Sequence, residues 1–298
     1  MTIDNTLPDQ GASDRRHFEY AVDQPITLDV QCTSTDIYVR THDEPIARLD
    51  IVARSPKDAE RVSKILVNYD THRHVLEVRE PQRTSSGQTK SKFLGRLLNI
   101  DAFTGELDYI LTVPTGSNLD ISTVSGDLVA DGTYTRIGLK GASSDAVIDT
   151  VNDLAMHVAS GDLQVREIRE RVTVRSASGD VDVADAQGAA VFETVSGDVR
   201  VTITNTCDVR VRSVSGDVRA YLEPGFALTV DARSTSGEVR SDISLDSDGA
   251  TDDGSPTVVL NAKSMSGDIR IKRASDKRRR ASENIAEVLS SRFESAAV

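Results

Sequence analysis

The chain has no tryptophan, and aromatic residues make up only 4% of its 298 residues. Lectins and carbohydrate-cleaving enzymes usually build their sites on aromatic platforms, so this scarcity counts against both classes. Long apolar runs are absent too, because no segment approaches the ~20 apolar residues that a membrane-spanning helix needs. The formal net charge of −12 argues against nucleic-acid binding, since phosphate contacts need a basic surface.

Residues suited to catalysis or metal binding are also scarce. Cys32 and Cys207 lie far apart and share no motif, which favours reduced thiols over a disulfide or a metal pair. The five histidines show no zinc-ligand spacing, and there is neither a Gly-x-Ser-x-Gly nucleophile elbow nor a phosphate-binding loop. We therefore predict no catalytic residue, no cofactor and no metal. Residues 1–11 are polar and lack the apolar core of a signal peptide, so the expected location is the cytoplasm.

What the chain has instead is a phrase, Ser-Gly followed by an acidic residue, that occurs seven times. Its glycines are Gly126, Gly161, Gly179, Gly197, Gly216, Gly237 and Gly267. A degenerate copy, Ser143-Ser144-Asp145, follows the first, and the steps between copies are then 18, 17, 18, 18, 19, 21 and 30 residues. A fixed period of this size is typical of repeat architectures, whose units stack because none can bury its apolar face alone.

Each repeat predicts two short strands and two corners. Val199, Val201 and Ile203 alternate with polar residues, and Val209 and Val211 do the same after a turn-like segment. Two chain paths fit this pattern: a solenoid of parallel coils, or an antiparallel meander with a hairpin at each Ser-Gly. We favour the solenoid because its corners lie about 4.8 Å apart and must be alike to nest.

The predicted fold class is therefore all-β, a single-chain β-solenoid resembling a parallel β-helix, with about 18 residues and two strands per coil. The predicted parts are a disordered N-terminus (1–16), degenerate coils (17–82) with a helix near 56–66, a loop or flap (83–104), the regular solenoid (105–273), and a basic hinge with an amphipathic helix (274–298). Asp36 lies 91 residues before Asp127, close to five periods, as expected if degenerate coils fill the interval. We expect the C-terminal helix to cap the open end of the stack.

Stacking predicts a charged face along the repeated corners. Its candidate interaction residues are Asp162, Asp180, Asp198, Asp217, Arg200, Arg219 and Arg240. Neighbouring carboxylates about 4.8 Å apart repel by roughly 0.9 kcal/mol in water. We expect relief from the arginines, or from aspartate oxygens that accept backbone N–H bonds. The phrase can be explained by turn chemistry alone, with glycine permitting a positive φ, or by recognition of an extended partner.

Three other segments have alternative interpretations. Phe93, Leu94, Leu97 and Leu98 form a candidate contact with a partner or with a membrane surface, or else a flap over the solenoid. The basic run 277–280 fits a solvated hinge or a contact with acidic lipid or nucleic acid. The aspartates of 242–253 fit a surface loop better than a calcium site, because their spacing matches neither an EF-hand nor the nonapeptide calcium repeat.

Residues 194–199 (T-V-S-G-D-V) and 213–218 (S-V-S-G-D-V) give the chain a family resemblance. Over roughly residues 20–273 it resembles the bacterial "putative adhesin" β-strand-repeat family, whose molecular function is unassigned. The resemblance implies a β-solenoid without a catalytic motif, and some relatives look like players in cell-envelope stress responses.

The sequence thus predicts a non-enzymatic, intracellular solenoid for interaction or scaffolding, linked to envelope homeostasis, with an unknown protein partner and no nucleic acid. Two alternatives stay open. One is a polysaccharide-acting parallel β-helix enzyme, and the other is a bactofilin-like scaffold that polymerises end to end.

Overall fold

The computed structural model describes residues 14–55, 58–81, 107–243, 257–274 and 277–297. Within these ranges the chain forms twenty strands and two helices. The strands are β1 (Arg15–Ala21), β2 (Thr27–Gln31), β3 (Thr35–His42), β4 (Ile46–Ala53), β5 (Leu66–Asp70), β6 (Val75–Arg79), β7 (Leu107–Pro114), β8 (Asn118–Ser122), β9 (Leu128–Ser143), β10 (Ala146–Ser160), β11 (Leu163–Ser178), β12 (Val181–Ala186), β13 (Ala189–Ser196), β14 (Val199–Ile203), β15 (Asp208–Ser215), β16 (Val218–Leu222), β17 (Ala227–Ser234), β18 (Val239–Ser241), β19 (Thr257–Ser266) and β20 (Ile269–Arg273). The helices are α1 (Ala59–Lys64) and α2 (Lys277–Ala297).

The strands stack as two walls. A rung consists of a back-wall strand, a corner and a front-wall strand. In spatial order the back wall is β6, β2, β8, the second halves of β9, β10 and β11, then β13, β15, β19 and β17; the front wall is β7, β3, the first halves of β9, β10 and β11, then β12, β14, β16, β20 and β18. All these neighbours are parallel. The prediction of an all-β, solenoid-like stack is confirmed, and the antiparallel meander is wrong for these rungs.

The alternating apolar residues fill the space between the walls. Val199, Val201 and Ile203 of the front wall and Val209 and Val211 of the back wall are buried in one continuous core. A strand has a side-chain period of two, so the residues between them face outward along both walls. The side chains that can contact a partner therefore lie on these outward faces.

The first rung of the chain does not lie at the end of the stack. The rung β2–β3 lies between β6–β7 and β8–β9. The backbone N–H of Asp127 accordingly donates to Asp36 Oδ1 at 3.0 Å. The interpretation of their 91-residue separation as five coils is wrong, because these two residues belong to adjacent rungs.

Antiparallel strands continue the walls beyond this end. β4 pairs with β7 and β1 with β4, while β5 pairs with β6, so residues 17–82 are not simply a series of degenerate coils. Helix α1 begins at Ala59 with Asp58 as its N-cap residue and ends at Lys64, within the helix near 56–66 that the sequence predicted. Val62 of α1 and Ile65 after it belong to the core, and α1 contacts β1 and β4.

The last rung of the chain is also internal. The rung β19–β20 lies between β15–β16 and β17–β18, so β17–β18 is outermost among the described rungs at this end. The long steps of 21 and 30 residues in the sequence reflect this exchange of position. Residues 244–256, which contain most of the aspartates considered for calcium, lie outside the described residues.

Helix α2 does not cap the stack, so that prediction is wrong. Its apolar side chains Ile285, Leu289 and Phe293 are buried against the outward face of the front wall. The wall residues that receive them are Tyr38, Val129, Val147 and Ala184. The physical reason is that outward positions of these early rungs are apolar, and a helix along them buries this surface.

Candidate functional site

The repeated acid forms a continuous hydrogen-bonded ladder along the corners. In spatial order its members are Asp36, Asp127, Asp145, Asp162, Asp180, Asp198, Asp217, Asp268 and Glu238, called the acid ladder below. Oδ1 of each aspartate accepts the backbone N–H of the next acid, at 2.8–3.1 Å. The expectation that aspartate oxygens accept backbone N–H bonds at the corners is confirmed. Asp268 precedes Glu238 in this order, because the last rung is internal.

The glycine of the phrase is required by close approach and by backbone conformation. Gly197 has φ +133°, and a Cβ placed on it would lie 2.1 Å from the carbonyl oxygen of Gly179. Gly179 has φ +124° and stands in the same relation to Gly161. Any side chain would therefore push neighbouring rungs apart, so turn chemistry alone accounts for the glycine.

Arginines neutralise the C-terminal part of the ladder. The arginine column consists of front-wall residues in mutual register, in the spatial order Arg200, Arg219, Arg270 and Arg240. Arg219 contacts Oδ2 of both Asp198 and Asp217, at 2.8 and 2.9 Å. Their Oδ1 atoms remain in the ladder, so each carboxylate serves one backbone bond and one ion pair.

The middle of the ladder lacks this neutralisation. Asp162 and Asp180 are exposed, and their Oδ2 atoms have no cationic partner among the described residues. The column position that holds arginine elsewhere holds Gln164 and Asp182 here. Asp182 Oδ2 pairs with Arg200 of the next rung at 2.7 Å. The candidate face therefore carries uncompensated negative charge at Asp162 and Asp180. Toward β18 the arginine column neutralises the ladder carboxylates.

The same column of outward positions changes character along the stack. Tyr38, Val129 and Val147 precede Gln164 and Asp182 in register, and the arginines follow. Helix α2 covers the apolar part and leaves the charged part open. One front-wall face is therefore divided into a sealed apolar region and an accessible charged region.

Helix α2 also reaches the ladder. Arg292 Nη1 lies 3.3 Å from Asp127 Oδ2, and the Phe293 ring packs edge-on against Tyr38 with centroids 5.9 Å apart. Burial raises the pKa of Asp127, although Arg292 and the N–H of Asp145 oppose the shift. At the other end the N–H of Glu238 is the main cause that lowers the pKa of Asp268.

A charged cluster beyond Asp36 was not anticipated from the sequence. Arg54 Nη2 contacts Asp36 Oδ2 at 2.8 Å and Asp108 Oδ1 at 2.5 Å. Asp108 pairs in register with Asp36, so this arginine takes the place of the backbone bond that links later rungs. The signal was present in residues 108–109, where Asp-Tyr repeats the acidic and buried apolar residues of Asp36-Ile37 in the same order.

The geometry offers no reactive nucleophile of the thiol class. Burial raises the pKa of Cys32 to about 12 and that of Cys207 to about 11, so both are protonated thiols at neutral pH. The described part of the chain contains no cluster of three or more His, Cys, Asp or Glu side chains able to hold a metal. Neither of the two helices is long and apolar enough to cross a membrane within the described residues. Phe93, Leu94, Leu97 and Leu98 lie outside the described residues. The basic run 277–280 forms the start of α2, so the prediction that it is a hinge is wrong.

Together these features define an all-β, solenoid-like repeat protein with a hydrogen-bonded charged edge. The model of the Toastrack DUF4097 family matches residues 26–272, and the chain belongs to that family. This family match confirms the resemblance drawn from the repeated phrase.

Solved structures match most of this chain at low identity. A protein named a putative lipid binding protein from Parabacteroides distasonis is 13% identical, with 89% of this chain and 98% of that chain covered and a TM-score of 0.49. A putative adhesin from Bacteroides fragilis is 14% identical, with 87% and 97% covered and a TM-score of 0.43. A putative adhesin from Parabacteroides merdae is 9% identical, with 89% and 98% covered and a TM-score of 0.36. No curated protein matches the chain, and similarity this low carries no argument about function.

Proposed function

We propose that the protein is a non-enzymatic interaction scaffold linked to the cell envelope, and that it recognises an extended, cationic segment of a protein partner along the acid ladder. The observation that carries the proposal is that the two oxygens of a ladder carboxylate have different contacts. Their Oδ1 atoms hold the rungs together, while Oδ2 of Asp162 and Asp180 faces solvent without a cationic partner among the described residues. The envelope link rests on the family resemblance.

The arrangement suits binding better than catalysis. General acid–base catalysis needs titratable groups whose environments push their pKa values apart. Along the middle rungs the aspartates instead occupy repeated, nearly identical environments, each with one oxygen in the ladder. Identical groups at strand spacing present a regular row of negative charge, which complements a linear partner.

The test uses the isosteric double variant D162N/D180N. Asparagine keeps the Oδ1 acceptor that the ladder needs and removes the two free charges, so the fold should persist. Cross-linking of the wild-type protein in its native cell should recover a partner that the variant recovers poorly. The matched control is Asp208→Asn, the same change at an exposed back-wall position outside the ladder.

Equal recovery by wild type and double variant would remove the acid ladder as the interaction face. Two further measurements address the other classes of function. Sedimentation of the purified protein into long filaments would replace the scaffold by an end-to-end polymer. Turnover of an acidic polysaccharide that is lost on Asp198→Ala would show an enzyme.

A further inference from the structure

We propose that the back wall carries a docking groove for an extended acidic peptide whose acidic residues alternate with apolar ones. The inference does not depend on the proposed function, because it concerns the opposite wall and a partner of opposite charge. It starts from the basic column, a set of exposed or half-exposed back-wall residues that pair in register: Lys140, His157, Arg175, Glu193, Arg212, Lys263 and Arg233. Only Glu193 is not basic, on a chain whose formal net charge is −12.

A second column runs beside it, two residues further along each strand. This apolar column contains Ala142, Ala159, Ala177, Val195, Val214, Met265 and finally Thr235. Val195, Val214 and Met265 are 52%, 43% and 59% exposed and lie on consecutive rungs. The corner itself does not need large side chains, because alanine occupies the same position in three other rungs. Three adjacent exposed apolar residues thus form a patch that the fold does not explain.

The two columns flank a groove of about 530 Å³ on the last three rungs. Arg212, Lys263 and Arg233 line one side of it, and Met265 and Thr235 line the other. Its remaining lining residues are Ser213, Ser264 and Ser234.

The serines beneath the groove belong to a column of hydroxyls that continues along the stack. Ser213 and Ser264 are 7% and 6% exposed, and their side-chain oxygens are buried without a hydrogen-bond partner among the described residues, as is that of Thr194 in the same register. Because this column is not confined to the groove, the binding capacity of the groove lies in the two outward-facing columns.

The charge at this groove is only partly neutralised. Glu193 pairs with Arg175 at 2.9 Å and with Arg212 at 3.3 Å, and Asp231 pairs with Arg233 at 2.9 Å. Lys263 lies between two arginines of the column and has no ion-pair partner among the described residues. The groove therefore retains net positive charge and attracts an anionic ligand.

The shape of the surface favours a single chain over a membrane. An anionic bilayer binds clusters of basic residues spread over a surface, whereas this column is one residue wide on a strongly acidic protein. In an extended peptide successive side chains point to opposite sides. A peptide lying between the columns thus directs its acidic residues toward Lys263 and its apolar residues toward Val214 and Met265. Same-side peptide residues repeat at about 6.6 Å and rungs at about 4.8 Å, a mismatch that flexible lysine and arginine side chains accommodate.

The experiment measures fluorescence anisotropy of a fluorescein-labelled peptide of alternating glutamate and valine, titrated with the full-length protein. We expect saturable binding that weakens as salt is raised. Lys263→Glu should weaken binding by about tenfold or more, because it places a like charge against the acidic residues. Arg171→Glu is the matched control, the same charge change at an exposed back-wall position outside both columns. It should change binding by less than about twofold.

Two comparisons make the proposal falsifiable. A peptide of the same composition with its glutamates and valines in separate blocks should bind several-fold more weakly, and equal binding would overturn the alternating arrangement. Met265→Ser should weaken the alternating peptide more than Val124→Ser, at the far end of the same face. Absence of peptide binding by the wild type, or binding only to vesicles of anionic phospholipid, would overturn the proposal. Unchanged circular dichroism of each variant establishes that folding is not the cause.

Discussion

The middle rungs and the end rungs of this molecule follow different rules of chain order. From β9 to β16 the spatial order of rungs equals their order in the sequence, with register offsets of 17 to 19 residues, as from Val147 to Gln164 and from Arg200 to Arg219. At both ends the order is exchanged. The first rung, β2–β3, lies inside β6–β7, and the last, β19–β20, lies inside β17–β18.

This difference shows how a repeat protein can protect its ends. A simple solenoid frays from its terminal rungs, because each of them has only one neighbour. Here the rungs nearest the chain termini have neighbours on both sides. The outermost described rung at the C-terminal end, β17–β18, is instead connected to the stack through both of its own ends. Opening it does not release the chain terminus.

The largest effect should come from a corner glycine in the middle rungs. Gly197→Ala places a methyl group against the carbonyl oxygen of Gly179 and keeps a strained positive φ. The rungs must separate to accept it, so we expect the free energy of unfolding to fall by about 3–5 kcal/mol. Thermal and urea unfolding followed by circular dichroism measure the change.

The control for this change lies outside the repeated corners, between β16 and β17. Gly225 also has a positive φ, +95°, but an added Cβ there would meet nothing within 4 Å. Gly225→Ala should therefore cost only the backbone term, about 1–2 kcal/mol. Equal losses for the two variants would show that contact between rungs is not what requires glycine in the repeated phrase.

The next effect concerns the exchanged C-terminal rungs. Amide hydrogen exchange should be slower in β19–β20 than in β17–β18, although β19–β20 is closer to the chain end. Val258, Leu260 and Ile271 of the internal rung are buried, whereas Val239 of the outer rung is 42% exposed. Local opening of the outer rung loses one interface and opening of the inner rung loses two, so we expect rates that differ on the order of a hundredfold. Faster exchange in β19–β20 would contradict the exchanged order.

The regular part of this fold could be predicted from the sequence because it repeats. A corner whose Gly and Asp both contact the next rung must recur at every rung, and this constraint leaves its mark as Ser-Gly-acid. The parallel direction of the strands followed from that one requirement, and so did the acceptance of backbone N–H bonds by the aspartate oxygens. The charged face of Asp162, Asp180 and their neighbours was likewise visible as a period of about 18 residues.

The exchanged ends and the position of α2 could not be predicted in the same way. Any rung can stack on any other when their corners are alike, so corner identity does not specify the neighbour. The 91-residue interval before Asp127 resembled five periods only by coincidence. For α2 a signal existed, because Tyr38, Val129 and Val147 are apolar at the outward position that Asp182 and later arginines occupy.

A smaller loss of stability should distinguish substitutions in the middle of the acid ladder from a substitution of its last member. Asp180 Oδ1 accepts the N–H of Asp198 at 2.8 Å, whereas Glu238 is last in the ladder and has an ion pair with Arg240. Asp180→Ala should lower the free energy of unfolding by about 1 kcal/mol, because it removes a charge-assisted bond at an exposed site. Glu238→Ala should stay within about 0.5 kcal/mol. Asp180→Asn, which keeps an acceptor oxygen, should recover most of the loss, and failure to do so would point to charge rather than to the ladder bond.

The smallest effect is the order in which two ladder aspartates titrate. Burial raises the pKa of Asp127 beneath α2, while the N–H of Glu238 lowers the pKa of Asp268. As pH falls, Asp127 should therefore protonate first, and carboxyl carbon NMR resolves the two titrations.

The sign of the contribution to stability also differs between the two aspartates. The charged form of Asp127 disfavours folding, and acidification through the interval between its unfolded and folded pKa values removes that cost. Asp268 favours folding above its unfolded pKa and loses this contribution as pH falls through its folded value.

Arg292→Gln removes the cation that opposes the shift at Asp127, so it should raise the pKa of Asp127 further and leave that of Asp268 unchanged. Titration of both carboxyls together, or a shift of Asp268 in the variant, would contradict the distinction between the helix-covered and open parts of the ladder.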